Sequence, residues 1–247
     1  MPPVDRRERQ LNDDFVAADL EQMRLAVNYN RWLFSFVRPH LGRRIFEVGA
    51  GIGNMTLQFL DVADFVFAIE PNPACLRVIL DTIGGRANFD CRPWRLEDCD
   101  WAEVRRYRLD TAVCINVLEH LADDAAAVQA MAGGIEAQGR IVLLVPAVPL
   151  AYGSIDRAVG HFRRYSKAAL RRILQAADLQ VEKLAYMNFV GLLGWMYNAH
   201  VSGKVQQSNQ QIQLFDRLVP WLARAEAILP PPVGMSLLAV ARKGVSP

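Results

Sequence analysis

Apolar residues recur along this chain with two different periods. Between positions 21 and 40, Met23, Val27, Trp32, Phe36 and Val37 fall at helical spacing. After Gly42 the pattern becomes a short, nearly continuous apolar run, RIFEV, that ends in glycines. Similar runs follow at 64–69 (DFVFAI), more weakly at 88–92, at 111–115 (TAVCI) and at 140–145 (RIVLLV). Helical patterns fill the intervals at 54–64, 73–83 and 121–132, the second introduced by Pro71 and Pro73. Short strands with no polar face, alternating with helices, predict a parallel sheet covered on both sides, an α/β fold.

Beyond residue 146 the alternation stops. A loop rich in Arg, Tyr and Gly (147–166) precedes a predicted helix over 167–177 and a strand near 181–186. An irregular aromatic region follows (187–232), and SLLAVAR (236–242) reads as a closing strand. Within that region residues 202–213 are polar and read as a hairpin or helix tip, with His200 at the surface. Residues 214–229 read as an amphipathic helix ended by Pro230–Pro232. Residues 1–20 are polar and read as a mobile segment or a loose helix.

At 247 residues and about 150 residues per domain, one domain with insertions fits. The expected organisation is a single domain, 1–247. It comprises an N-terminal helical cover (1–40), a cofactor-binding core (41–146), an acceptor loop with a helical insertion (147–232) and a closing strand (233–247). A hydrophobic share of 52% with 22% charged residues suits a packed core and excludes a disordered chain. The net charge of +2 argues against a nucleic-acid partner. Yet 24 of the 28 basic residues are arginine, the better fork for planar anions. Cys75, Cys91, Cys99 and Cys114 show no metal-ligand spacing and read as free thiols of a reducing compartment. The N-terminus has no signal-peptide core, and the most apolar stretch, 189–197, is too short to span a membrane, so a cytoplasmic protein without stable membrane insertion is expected.

The candidate chemistry starts at Glu47-Val-Gly-Ala-Gly-Ile-Gly. Its glycines fall at 49, 51 and 53, and Asn54 stands where a dinucleotide fingerprint needs its third glycine. Alternating glycines let the backbone turn sharply and approach a bulky ligand. Glu70, at the end of the second strand, can accept both hydroxyls of a ribose. The E-x-G-x-G-x-G loop and this acid resemble class I S-adenosylmethionine-dependent methyltransferases. The resemblance covers roughly 26–247 and implies a Rossmann-like, seven-stranded, mostly parallel sheet with an antiparallel last strand. It also implies S-adenosyl-L-methionine as cofactor, with S-adenosyl-L-homocysteine as product. Cofactor contacts then fall to Glu47, Gly49, Gly51, Gly53, Asn54, Glu70 and Pro71, with Tyr29 and Arg31 over the cofactor carboxylate. In the loop after the third strand Arg95 takes the family's usual acid position, so Leu96 is expected on the adenine ring and Glu97 or Asp98 at its amine.

The fourth-strand segment Asn116-Val-Leu-Glu-His resembles the same family most strongly. Asn116, Val117 and His120 are expected near the methionine half of the cofactor. A related segment in ubiquinone-type O-methyltransferases holds a divalent metal; Glu119 and His120 match it, but Asn116 replaces its first acid, which weakens a metal site, and no metal is expected here. Glu119 and His120 also suit the capping of a following helix.

The loop after the fifth strand reads Y-G-x-x-D-x-x-x-G-H-x-R-R-Y from Tyr152 to Tyr165, which resembles a subgroup of bacterial small-molecule methyltransferases with a GHxRRY loop. A hydroxyl acceptor must lose a proton as it attacks, and an imidazole suits that task near neutral pH. His161 is therefore the expected base, oriented by Asp156, with Tyr152 and His120 as further catalytic candidates. A carboxylate acceptor needs no base and would make His161 a positioning group. Arg163 and Arg164 could grip an anionic substrate group, while Tyr165, Asn188 and Trp195 complete the expected acceptor pocket. The expected reaction is methylation of a small molecule, with oxygen favoured over nitrogen or carbon. Its setting would be the biosynthesis of a secondary metabolite, a glycan or a lipid-like compound. A non-catalytic cofactor-binding regulator and a nicotinamide-dependent oxidoreductase are the competing readings, and a homodimer is compatible with the apolar bulk of 187–201.

Overall fold

The computed structural model describes residues 16–18, 20–198 and 209–244. Seven strands form one sheet in the order β3-β2-β1-β4-β5-β7-β6. Strands β1 (Arg44–Val48), β2 (Phe65–Ile69), β3 (Phe89–Arg92), β4 (Thr111–Ile115) and β5 (Arg140–Pro146) pair in parallel. The last strand, β7 (Ser236–Lys243), runs antiparallel between β5 and β6 (Leu179–Met187).

Alternate residues of each strand feed two cores. On one face Phe46, Phe67, Cys114, Leu143 and Ala239 pack beneath α4 (Trp101–Arg106), α5 (Asp124–Gly134) and α7 (Lys167–Ala176). On the other, Ile45, Val66, Val113, Val142 and Leu238 pack beneath α1 (Val27–Val37), α2 (Thr56–Leu60), α3 (Pro73–Ile83) and the long C-terminal helix α9 (Asn209–Ile228). With both faces covered, the strands read as unbroken apolar runs in the sequence.

Several elements depart from the predicted ones. The N-terminal helix is interrupted: residues 20–24 are helical, and α1 begins again at Val27. Helix α4 was invisible to periodicity because it is six residues long; Asp100 starts it by accepting hydrogen bonds from the Ala102 and Glu103 amides. The loop expected at 147–166 contains a short helix, α6 (Ser154–Ala158). The aromatic region resolves into α8 (Phe189–Met196) and α9, which starts at Asn209 and continues through Pro220. His200 and most of the expected polar tip lie outside the described residues. All four cysteines are buried and free. Among the described residues no helix is long and apolar enough to cross a membrane.

Leu143 sits at the centre of the sheet with no exposed surface. Leu143→Ala is expected to lower the unfolding free energy by about 2–5 kcal/mol, since a cavity there cannot collapse. Chemical denaturation with an unchanged m-value would check it.

Candidate functional site

The carboxyl ends of the parallel strands meet at one edge, and the glycine loop forms its centre. Gly49, Gly51 and Gly53 all adopt positive φ (76°, 54° and 86°). The amides of Gly49 and Ala50 both donate to the Ile69 carbonyl, which ties the turn to the end of β2. A Cβ on Gly49 would lie 2.4 Å from Val117 Cγ2, so the β1 and β4 loops touch through a residue without a side chain. Glu47 is buried behind the turn and accepts a 2.7 Å hydrogen bond from the Thr56 hydroxyl. Burial, with the nearby Glu70 charge adding to it, pushes its pKa up to about 8 despite that bond.

Glu70 stands at the end of β2, its two oxygens accepting from the Gly51 amide (2.7 Å) and the Asn72 amide (2.8 Å). These two bonds hold the carboxylate beside the glycine turn, and a carboxylate is a group that can accept the hydroxyls of a ribose. This is the observation on which an adenosine cofactor fits the loop. Pro71 is exposed beside it. Leu96 differs from its expected place: it is 4% exposed and belongs to the core rather than to the loop surface, while Glu97 and Asp98 are exposed. The turn Leu96–Asp98 buries its apolar first residue as the loop closes towards α5.

The expected N-terminal contacts are also redistributed. Arg31 is exposed on α1. The Tyr29 hydroxyl points toward Asn188 and Ser236, and its ring packs against Phe215 of α9. Arg24, which sequence reasoning passed over, donates to Asn54 Oδ1 and to the Ile52 carbonyl (both 3.0 Å), and Asn54 donates in turn to the Leu20 carbonyl. Asn54 thus straps the segment around residues 20–24 across the glycine turn. No spacing signals this, because the partners are thirty residues apart.

At the end of β4, Asn116 has positive φ (52°) and is exposed, with its amide bonded to the Leu144 carbonyl. His120 and His161 meet edge to face, their ring centroids 4.7 Å apart. His120 is exposed along one edge; the protein packed against the rest of its ring, then the neighbouring His161, lower its pKa to about 4. The structure brings Asp156 and His161 together: Nδ1 lies 2.8 Å from Asp156 Oδ1. Arg164 Nε donates to the same oxygen (2.8 Å), and the Gly153 amide donates to the other (3.0 Å). Burial works to raise the Asp156 pKa, but these donors and the Arg164 charge hold it below the usual carboxylate range.

Glu119, for which the sequence allows a metal-segment match, a helix cap or a role beside the acceptor, lies against His161. It is fully buried, and Oε1 lies 3.7 Å from His161 Nε2, outside hydrogen-bond range. Neither of its oxygens has a hydrogen-bond partner, and burial pushes its pKa up to about 8. Its signal was position alone: one residue before His120, on a turn that points inward. Glu119, His120 and His161 also bring one ligand-type atom each within 4.8 Å of one another, a set able to hold a divalent cation.

Of the residues expected to grip the acceptor, several hold the loop instead. Arg163 pairs with Asp124 and donates to the Ala122 carbonyl, both at 2.8 Å, which pins the loop to the start of α5. Tyr165 is buried and bonds Asp124 and the Leu118 carbonyl. Asn188 is buried and caps α8 from a left-handed conformation (φ 64°). Tyr152 donates to the His161 carbonyl at 2.8 Å. Arg164 and Trp195 remain beside the cluster, the guanidinium 4.6 Å from the indole centroid. Arg164 Nη2 and Trp195 Nε1 are buried donors without a partner.

A glycine turn after β1, an acid closing β2, the strand order and the antiparallel last strand together define a class I S-adenosylmethionine-dependent methyltransferase. Residues 20–184 match the model of a family described as a methyltransferase domain, and the chain belongs to that family. An uncharacterized methyltransferase of Bacillus subtilis (strain 168), YrrT, is 26% identical over 167 residues, 66% of this chain and 72% of that protein. A ubiquinone biosynthesis O-methyltransferase of Xanthomonas euvesicatoria pv. vesicatoria (strain 85-10) is 25% identical over 179 residues, 67% of this chain and 73% of that protein. The fold also matches the crystal structure of magnesium protoporphyrin IX methyltransferase (ChlM) from Synechocystis PCC 6803 with bound SAM. That match has a TM-score of 0.58 at 12% identity and covers 99% of this chain and 100% of that one. S-adenosyl-L-methionine is the cofactor of this class.

Gly49→Ala is expected to weaken S-adenosylhomocysteine binding at least about tenfold and to cost about 1–3 kcal/mol of stability. Gly49→Ala/Val117→Ala should recover only part of either loss, because it removes the clash and not the strained φ. Titration calorimetry and denaturation read the two effects. Glu47 sets a pH dependence. Its pKa is raised on folding, so the native state holds a proton that the unfolded chain releases above about 4.5. Its contribution is present below that pH and is lost as pH rises toward about 8. Glu47→Gln should flatten the fall in unfolding free energy across this window.

Proposed function

We propose that this methyltransferase acts on an oxygen of a small-molecule acceptor, with His161 as general base and Asp156 as the group that orients it. The observation that carries the reading is the 2.8 Å contact between His161 Nδ1 and Asp156 Oδ1. A carboxylate accepting from Nδ1–H leaves Nε2 as the basic nitrogen. When bound, S-adenosylmethionine supplies an electrophilic methyl group on a positively charged sulfur. His161 Nε2 takes the proton of the acceptor hydroxyl, and the resulting imidazolium is stabilised by the Asp156 carboxylate on Nδ1. The carbonyl that Tyr152 holds belongs to His161 itself, so Tyr152 fixes the base from behind. Arg164, held by Asp156, and Trp195 stacked on it flank the acceptor's oxygen-bearing group.

In the same reading Gly49, Gly51 and Gly53 admit the cofactor to main-chain contact, and Glu70 receives its ribose hydroxyls. Asn116, Val117 and His120 border its methionine half, and residues 147–166 with α8 cover the acceptor. The relatedness to a ubiquinone biosynthesis O-methyltransferase supports oxygen as the methylated atom.

His161→Ala is expected to lower kcat by about 10²–10⁴-fold while S-adenosylhomocysteine binding stays within about threefold of wild type. An unchanged kcat would transfer the reading to a carboxylate acceptor, for which His161 only positions. Activity should also survive exhaustive chelation. Loss on chelation, with recovery on adding Mn²⁺ or Zn²⁺, would move the base role from His161 to a metal held by Glu119, His120 and His161.

A further inference from the structure

Helix α9 sorts its side chains by charge as well as by polarity. Its inner face carries Ile212 and Val219, both buried, together with the helix's two acids. Asp216 accepts from Asn28 Nδ2 (3.0 Å) and from the Tyr29 amide (2.8 Å). Glu226 accepts from the amides of Asn188 and Phe189, each at 2.8 Å. Both acids are therefore used up in tying α9 to α1 and to the start of α8.

The outer face is the reverse. Leu214, Leu218, Trp221, Ala225 and Ile228 fall on one stripe at helical spacing, and all are exposed; Trp221 is 70% exposed and Ile228 is 86%. Arg217 and Arg224, the only basic residues of α9, are exposed along one border of that stripe. The Arg224 guanidinium lies 5.6 Å from the Trp221 ring centroid. The neighbouring α8 adds uncharged apolar surface, with Phe189, Val190, Leu193 and Met196 exposed and Tyr197 just beyond.

We propose that the outer faces of α8 and α9 form a docking surface for an anionic lipid membrane, on which the protein lies without inserting a helix across it. An apolar stripe that contains a Trp and is bordered by arginines, with a Tyr beyond the end of α8, is the composition that seats a helix at the headgroup boundary. The charge sorting favours lipid over a second copy of the chain. A second copy would bring the same arginines and no outward carboxylate on α9 to receive them. An anionic headgroup neutralises them, and their apolar stems can lie along the surface. The surface also adjoins the candidate site. Trp195, on the inner side of α8, stacks on Arg164, so the polar cluster lies about one helix diameter, ~10 Å, behind the membrane-facing side. The inference holds whichever atom is methylated.

The full-length protein should float with vesicles of equal parts phosphatidylcholine and phosphatidylglycerol. It should float poorly with phosphatidylcholine alone, and added salt should release it. Leu218→Glu/Trp221→Glu and Arg217→Glu/Arg224→Glu alter only exposed positions. Each is expected to weaken vesicle binding at least about tenfold, with an unchanged Tm and S-adenosylhomocysteine affinity. If Leu218→Glu/Trp221→Glu lowers the Tm, the Arg217→Glu/Arg224→Glu pair alone decides. Wild-type protein that fails to float with anionic vesicles overturns the proposal, as does binding that neither pair weakens. So does a dimer in sedimentation that the substitutions convert to monomer, which would assign the face to a second copy.

Discussion

The site depends on one buried carboxylate. Asp156 has no exposed surface, and a charge there is tolerable only because it is paired and hydrogen-bonded. Its partners come from three places in the chain: the Gly153 amide before α6, His161 after it, and Arg164 three residues further on. Remove the carboxylate and Arg164 becomes a buried cation without its counter-charge, while His161 loses the group that fixes its ring. The loop after β5 buries Ala147, Ala151, Ile155 and Tyr165, but the hydrophobic effect is non-directional and does not set the geometry of its polar groups. The loop is organised instead around this single anion, and then pinned at its edges by Arg163 on Asp124 and by Tyr165 beneath the β4 loop.

The opposite wall of the site is organised by the absence of side chains. Gly49 lets the β1 turn approach Val117, and the amides that the turn exposes find Ile69 and Glu70. The two walls therefore obey different physics. One is held by close backbone approach, the other by a satisfied charge network. The segment around residues 20–24 is bound to the glycine side through Arg24 and Asn54, and α1 and α9 are joined through Asp216. The cover thus has separate attachments to the cofactor side and to the C-terminal helix.

The sheet was legible because a strand buried on both faces leaves an unmistakable apolar run, and six of the seven strands begin within one residue of their predicted starts. The glycine turn and Glu70 were legible because main-chain geometry restricts which residues can stand there. The Asp156–His161 contact followed from proximity in sequence, five residues across one turn. What remained hidden was decided by distant partners. Arg163 looks like a substrate clamp until α5 puts Asp124 beside it. Leu96 looks like a loop residue until its turn closes towards α5 and buries it. Arg24 carries no local signal at all, and the choice among the roles open to Glu119 is undecided in sequence because nothing in its neighbours predicts that its oxygens will be sealed from water. Periodicity reports which face is buried; it does not report which polar atom will find a partner there.

The position of β7 sets a timetable for the nascent chain. This strand pairs with β5 on one side and β6 on the other, so β6 has no place in the sheet until residues 236–243 have been made. At ~5–20 residues per second, the 49 residues from Met187 to Ser236 take roughly 2–10 s to synthesise. Over that interval the β5 edge is open and the β6 segment lacks its strand partner. An exposed strand edge is a template for wrong pairing. Joining the two through the last strand makes the sheet all-or-none at its far side, and leaves the growing polypeptide dependent on whatever shields that edge while it waits.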